Sequence, residues 1–68
     1  MKKIKTERGF DFIYFIDEYC ESCSLQKSSI ATEDCIWLGV DGRRMHLSQE
    51  MVKELIPYLS KFMETGDL

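Results

Sequence analysis

The chain has no long apolar run, no glycine-rich phosphate loop, no internal repeat and no excess of basic charge. Each absence narrows what it can be. Nothing approaches the ~20 consecutive apolar residues of a membrane span. The apolar stretch from Phe10 to Ile16 is too short, is broken by Asp11, and leads to nothing like a small-residue cleavage site, so no secretion signal is expected. Nine Lys and Arg against twelve Asp and Glu leave a net charge of −3. That balance argues against a nucleic-acid partner, which would ask for a basic stripe. The lysines that do cluster, Lys2, Lys3 and Lys5, read as a solvated start. Three cysteines cannot build a disulfide framework, and an odd number suits a reducing cytoplasm. Cys20, Cys23, Cys35 and His46 could formally supply zinc ligands, but Cys35 and His46 are not a close-set pair. A redox Cys-x-x-C normally opens a helix, and here a strand is expected to follow it. The thiols read as ordinary side chains, and no metal and no cofactor is expected.

What is present fits one small domain. A chain of 68 residues buries only about 60% of its unfolded surface. Residues 1–9 read as a flexible N-terminus and residues 10–68 as a single α+β domain. The expected fold is a small antiparallel meander of about four strands with one C-terminal helix packed on it. Phe10 to Ile16 is rich in aromatic and β-branched residues and reads as a strand, with Phe10, Phe12, Tyr14 and Ile16 on one face and Ile13 and Phe15 on the other. A strand apolar on both faces must be covered on both, and in so short a chain the second cover is expected to be another subunit, giving a homo-oligomer. Asp17 to Glu21 reads as a turn and Ser22 to Ser28 as the next strand. With Leu25 facing the core, Ser22, Ser24, Gln26 and Ser28 form a polar stripe on the opposite side. Ala31 to Asp34 makes the following connection.

Asp41-Gly42 between apolar runs is a strong short-range hairpin signal. A two-residue type I′ turn there sets Val40 opposite Arg43, Gly39 opposite Arg44, Leu38 opposite Met45, Trp37 opposite His46 and Ile36 opposite Leu47. One face then carries Ile36, Leu38, Val40, Met45 and Leu47, which reads as core. The other carries Trp37, Gly39, Arg44 and His46. After the hairpin, Ser48 is a favoured helix N-cap with Glu50 in the first turn. Val52, Leu55, Ile56, Leu59, Phe62 and Met63 recur at helical spacing, Pro57 is expected to bend the axis, and Gly66 is a natural stop.

The outer face of the hairpin is the candidate site. Trp and Arg together are enriched in contact hot spots, and an aromatic plane beside a guanidinium also suits a purine and its phosphate. Gly39 is expected to leave room above the backbone for a partner group. Ser24, Gln26, Ser28 and Ser29 add hydroxyl and amide groups on what would be the same face. No Ser, Cys or Asp is placed by the sequence to activate or orient His46, so no catalytic residue is assigned and the protein is not expected to be an enzyme.

Four motifs in order carry a family resemblance. Cys23-Ser24-Leu25-Gln26 with Ser28-Ser29, Ile36-Trp37-Leu38-Gly39, Arg44-Met45-His46-Leu47, and Leu55…Pro57…Leu59…Phe62…Thr65-Gly66 resemble a set of small uncharacterised proteins of tailed bacteriophages and prophages. The resemblance covers roughly residues 10–68. The link between the Trp37-Leu38-Gly39 and Arg44-Met45-His46-Leu47 segments is often longer in such proteins, so a site built on a longer loop would be missing here. The resemblance implies a phage-encoded accessory protein of the host-cell cytoplasm that acts by binding, without contact with membranes. Its partner would be a nucleotide-like anionic signal used in host defence, sequestered by a homo-oligomer. Alternatives are a host protein blocked through the Trp37, Arg44 and His46 face, and a small transcriptional regulator. These steps from family to function are analogies.

Overall fold

The computed structural model describes residues 1–29 and 32–68. Ala31, the expected start of the connection into the hairpin, lies outside the described residues. Strands β1 (Lys2–Lys5), β2 (Asp11–Ile16), β3 (Ser22–Lys27), β4 (Cys35–Val40) and β5 (Met45–Ser48) form one antiparallel sheet in chain order, followed by helix α1 (Gln49–Thr65). The class is α+β, as expected, with five strands in place of about four.

The additional strand is β1, inside the segment read as a flexible start. Its lysines do not oppose strand formation, because β1 is an edge strand and lysine is a common edge residue. Ile4 pairs with Phe12, and Lys5 with Asp11. The Lys5 ammonium lies 2.9 Å from the Asp11 carboxylate, with Lys3 at 3.9 Å. The hydrogen bond from Lys5 and the nearby Lys3 charge hold the Asp11 carboxyl below its usual range. The turn that makes the pairing possible closes through Thr6: the Thr6 N–H donates to Phe10 O, Gly9 N–H donates to Thr6 O, and Phe10 N–H donates to the Thr6 hydroxyl.

Between β2 and β3, the Asp17 carboxylate accepts from the backbone N–H groups of Tyr19 and Glu21 at 2.9 and 3.0 Å. This is the local side-chain-to-backbone bonding that makes Asp a turn residue. Between β4 and β5 the expected register holds: Ile36 opposes Leu47, Trp37 opposes His46, and Leu38 opposes Met45. The turn chemistry differs. Arg43 N–H donates to Val40 O at 2.9 Å, and Gly42 has φ +86° while Asp41 does not have positive φ. Positive φ at the third turn position alone is the pattern of a type II turn, not type I′. A type II turn splays the strands it joins. The distortion falls on Gly39, which takes φ +140° and drops out of the ladder opposite Arg44.

The register divides the sheet into two faces. An aliphatic face carries Ile13, Phe15, Cys23, Leu25, Ile36, Leu38, Val40, Met45 and Leu47. An aromatic–polar face carries Phe12, Tyr14, Ser24, Gln26, Trp37 and His46. The aliphatic face reads from the sequence as core, but it is not one within this chain. Among the described residues the buried apolar side chains are Cys23 and Cys35, and Met45 is 53% exposed.

The helix was expected to cover that face and does not. Ser48 ends β5 and is also the N-cap of α1, its hydroxyl accepting from Met51 N–H at 3.2 Å. No residue is left between strand and helix for a reversal, whereas strand-to-helix connections usually take about 2–6 residues. The helix therefore departs from the edge strand, touches the sheet mainly along β5, and has no buried residue. It runs unbroken through Pro57 and stops at Gly66, whose N–H donates to Phe62 O at 2.7 Å. Among the described residues, no helix is long and apolar enough to cross a membrane.

Candidate functional site

Trp37 and His46 are brought together by direct pairing across β4 and β5. Their rings stack with centroids 4.0 Å apart at 25° between planes. The Arg44 guanidinium carbon lies 5.6 Å from the centre of the Trp37 ring, within cation–π range. Among the described residues no carboxylate pairs with Arg44. The three side chains expected to converge do so, on the aromatic–polar face. Gln26 flanks Trp37 from β3, and Phe12 lies beyond it on β2, so one row runs Phe12, Gln26, Trp37, His46 across four strands.

The other expected site residues have different roles. Gly39 does not leave room for a partner group. A Cβ at Gly39 would lie 3.3 Å from Arg44 Cα and 3.5 Å from Arg43 O, so the space above Gly39 is filled by the backbone that leads into β5. Ser24 lies on the expected face but is fully buried, and its hydroxyl donates to the Asp41 carboxylate at 3.4 Å. It ties β3 to the hairpin turn and cannot reach a ligand. Ser28 is also buried, with its hydroxyl 2.9 Å from His46 Nε2. That contact fixes the imidazole that Trp37 stacks on. It resembles a nucleophile–base pair, but Ser28, a residue only 6% exposed, is poorly placed to attack a substrate. Among the described residues no carboxylate or carbonyl orients the imidazole as a triad would require. Ser29 is exposed at the end of β3.

Trp37, Arg44 and His46 form a ridge on an open sheet. Two clefts lie elsewhere on the sheet. One, of about 340 Å³, is lined by Lys27, Asp34, Ile36, Leu47, Gln49 and Val52 where α1 leaves the sheet, with Ile36 and Leu47 belonging to the opposite, aliphatic face. Another, of about 370 Å³, is lined by Thr6, Glu7, Arg8, Phe10, Gln26, Lys27 and Ser29, so it holds two cationic side chains and one carboxylate. The second adjoins the site, because Gln26 belongs both to it and to the Trp37 row. It introduces Arg8, which also has no carboxylate partner among the described residues. Arg8 was missed because it lies in the segment read as a flexible start. The signal available was Gly9 immediately before an aromatic strand, a turn mark that places Arg8 at a hairpin tip.

The cysteines do not converge on the histidine. Cys23 lies on the aliphatic face opposite Val40, Cys35 pairs with Ser48 at the far end of β4, and Cys20 is exposed in the β2–β3 turn. Burial, with the Asp17 carboxylate nearby, pushes the Cys23 thiol up from its ordinary pKa. Since the thiolate is the reactive form, Ellman's reagent at pH 8 is expected to label one thiol per chain rapidly, Cys20, and the two buried ones at least tenfold more slowly. A Cys20→Ser variant should lose the fast phase. A fast phase that survives in it would mean that the sheet opens readily at Cys23 or Cys35.

The chain matches no known family, no curated protein and no solved structure.

Proposed function

We propose that this protein is a non-enzymatic binding module that holds a nucleotide-like, anionic molecule along the aromatic–polar face of its sheet. One observation carries the reading. In a chain of net charge −3, none of the three guanidiniums has a carboxylate partner among the described residues, and two of them, Arg8 (in a cleft it shares with Glu7) and Arg44, border the Gln26–Trp37 row. An arginine fork suits phosphate oxygens, the Trp37–His46 stack offers a π edge beside a base, and Gln26 and Ser29 add neutral polar groups. The resemblance to small phage proteins makes the ligand a signalling nucleotide of the host cytoplasm, removed by sequestration, and the protein a phage counter-defence factor. The homo-oligomer belongs to this reading as well.

A second reading has its own support. The ridge lies on an open face without enclosing walls, and Trp with Arg on such a face is the composition of a protein-contact hot spot. A blocked host protein is therefore the alternative partner. One experiment separates the two. The melting temperature is measured against a panel of nucleoside mono-, di- and triphosphates and cyclic dinucleotides, with inorganic phosphate as the anion control. A ligand at a hundred times its Kd stabilises by about 2.7 kcal/mol, which for a domain of this size is a shift of roughly 10–20 °C. A shift with one nucleotide class supports sequestration. A shift with phosphate alone, or none across the panel, rejects the nucleotide reading and leaves the protein contact.

A further inference from the structure

We infer that the aliphatic face of the sheet and the apolar stripe of α1 form a single interface with a second copy of this chain. The two protomers are related by a two-fold axis, with the helix of each lying across the sheet of the other.

The surface left uncovered is the first argument. A compact chain of 8.0 kDa exposes about 4,500 Å², whereas this one exposes 5758 Å². The excess of roughly 1,300 Å² is larger than the ~800 Å² per partner of a standard stable interface. The radius of gyration, 13.1 Å, likewise exceeds the ~11 Å of a compact domain of this length. Part of that excess is the helix, on which Leu55, Leu59 and Phe62 are 39%, 54% and 57% exposed, and part is the aliphatic face, where Met45 is 53% exposed and Ile13, Phe15, Leu25, Leu38 and Leu47 are only half-buried.

The second argument is fit. The 17 residues of α1 make a rod about 25 Å long. Five strands about 4.8 Å apart make a sheet of similar width. The helix cannot fold back onto its own sheet, because Ser48 belongs to both the strand end and the helix cap. Each chain therefore carries one uncovered helix and one uncovered sheet of matching size. A two-fold exchange covers both at once, and self-complementarity of that kind is what an isologous dimer requires. The interface lies on the opposite side of the sheet from Trp37 and His46, so it can fail while the nucleotide-binding part of the proposed function survives, and the reverse.

The test uses the full chain. Sedimentation equilibrium at micromolar concentration should return about twice the 8.0 kDa chain mass. In a sample mixing isotope-labelled and unlabelled protein, isotope-filtered NOEs should connect Leu59 and Phe62 of one protomer with Ile13 and Leu38 of the other. Leu59→Glu should raise the dimer dissociation constant at least a hundredfold. Should that variant fail to fold by circular dichroism, Leu59→Ala should still raise it about tenfold. A monomer mass at 100 μM would overturn the proposal. So would intermolecular NOEs running only helix to helix or sheet to sheet, or a dissociation constant unmoved by a folded Leu59 variant.

Discussion

Gly39→Ala is expected to destabilise the protein by about 2–4 kcal/mol, combining a backbone strained at positive φ with a tight contact to the neighbouring backbone. The residue holds φ +140°, and an added Cβ would meet Arg44 Cα at 3.3 Å, a backbone atom with no rotamer to yield. A chain of this size has a total stability of only about 3–10 kcal/mol, so the loss is a large fraction of it. The melting temperature should fall by roughly 10–30 °C. Gly42 supplies the control. It also has positive φ, at +86°, but nothing lies within 4 Å of its virtual Cβ. Gly42→Ala therefore carries backbone strain alone, about 1 kcal/mol. Equal losses at the two positions in thermal denaturation would show that the close approach of the Arg44 backbone to Gly39 has no energetic weight.

The contrast between those glycines marks what could be read from residues alone. The register of β4 against β5 was legible, because a short Asp-Gly turn leaves few alternatives and the alternation of Ile36, Leu38, Met45 and Leu47 excludes a one-residue slip. Both helix ends were legible too, since a Ser N-cap and a Gly stop act within a few residues. The turn type was not. Asp-Gly satisfies type I′ and type II equally well at the glycine, and the choice shows only in the φ of Asp41. The burial of Ser24 and Ser28 was not legible either. Period-2 alternation assigned them the correct face, but whether a hydroxyl on that face meets water or a neighbour such as Asp41 or His46 depends on other strands.

Non-local pairing explains the remaining differences. Lys2–Lys5 has a polar composition and becomes a strand because Ile4 finds Phe12 and Lys5 finds Asp11 across a turn. Recognising that hairpin would also have placed Arg8 beside Gln26. The helix stripe was read correctly as apolar, but its destination was not, because a hydrophobic period specifies that a face is covered and not by what. The missing residues between β5 and α1 were the available signal: Ser48 cannot end a strand, cap a helix and also provide a reversal.

Arg44→Ala is expected to weaken binding of the proposed nucleotide ligand by ten- to a hundredfold while lowering the melting temperature of the free protein by no more than a few degrees. The asymmetry follows from what the guanidinium does in each state. In the free protein it makes a cation–π contact with Trp37, 5.6 Å from the ring centre, and no ion pair among the described residues. Such a contact at a partly exposed position contributes about 0.5–1 kcal/mol. Against a phosphate the same group donates charge-assisted hydrogen bonds worth about 1.5–3 kcal/mol, and that range converts to the stated loss of affinity. Arg44→Lys should recover part of the charge but not the planar fork, and so should fall between alanine and the parent protein. Arg43 is the internal control. It occupies the adjacent turn and lies by register on the aliphatic side, away from Trp37, so Arg43→Ala should change affinity less than threefold. Calorimetry of the three variants against the nucleotide that shifts the melting temperature decides the matter. If Arg43→Ala and Arg44→Ala weaken binding alike, the guanidiniums act only through net charge, and the aromatic–polar face is not where the ligand sits.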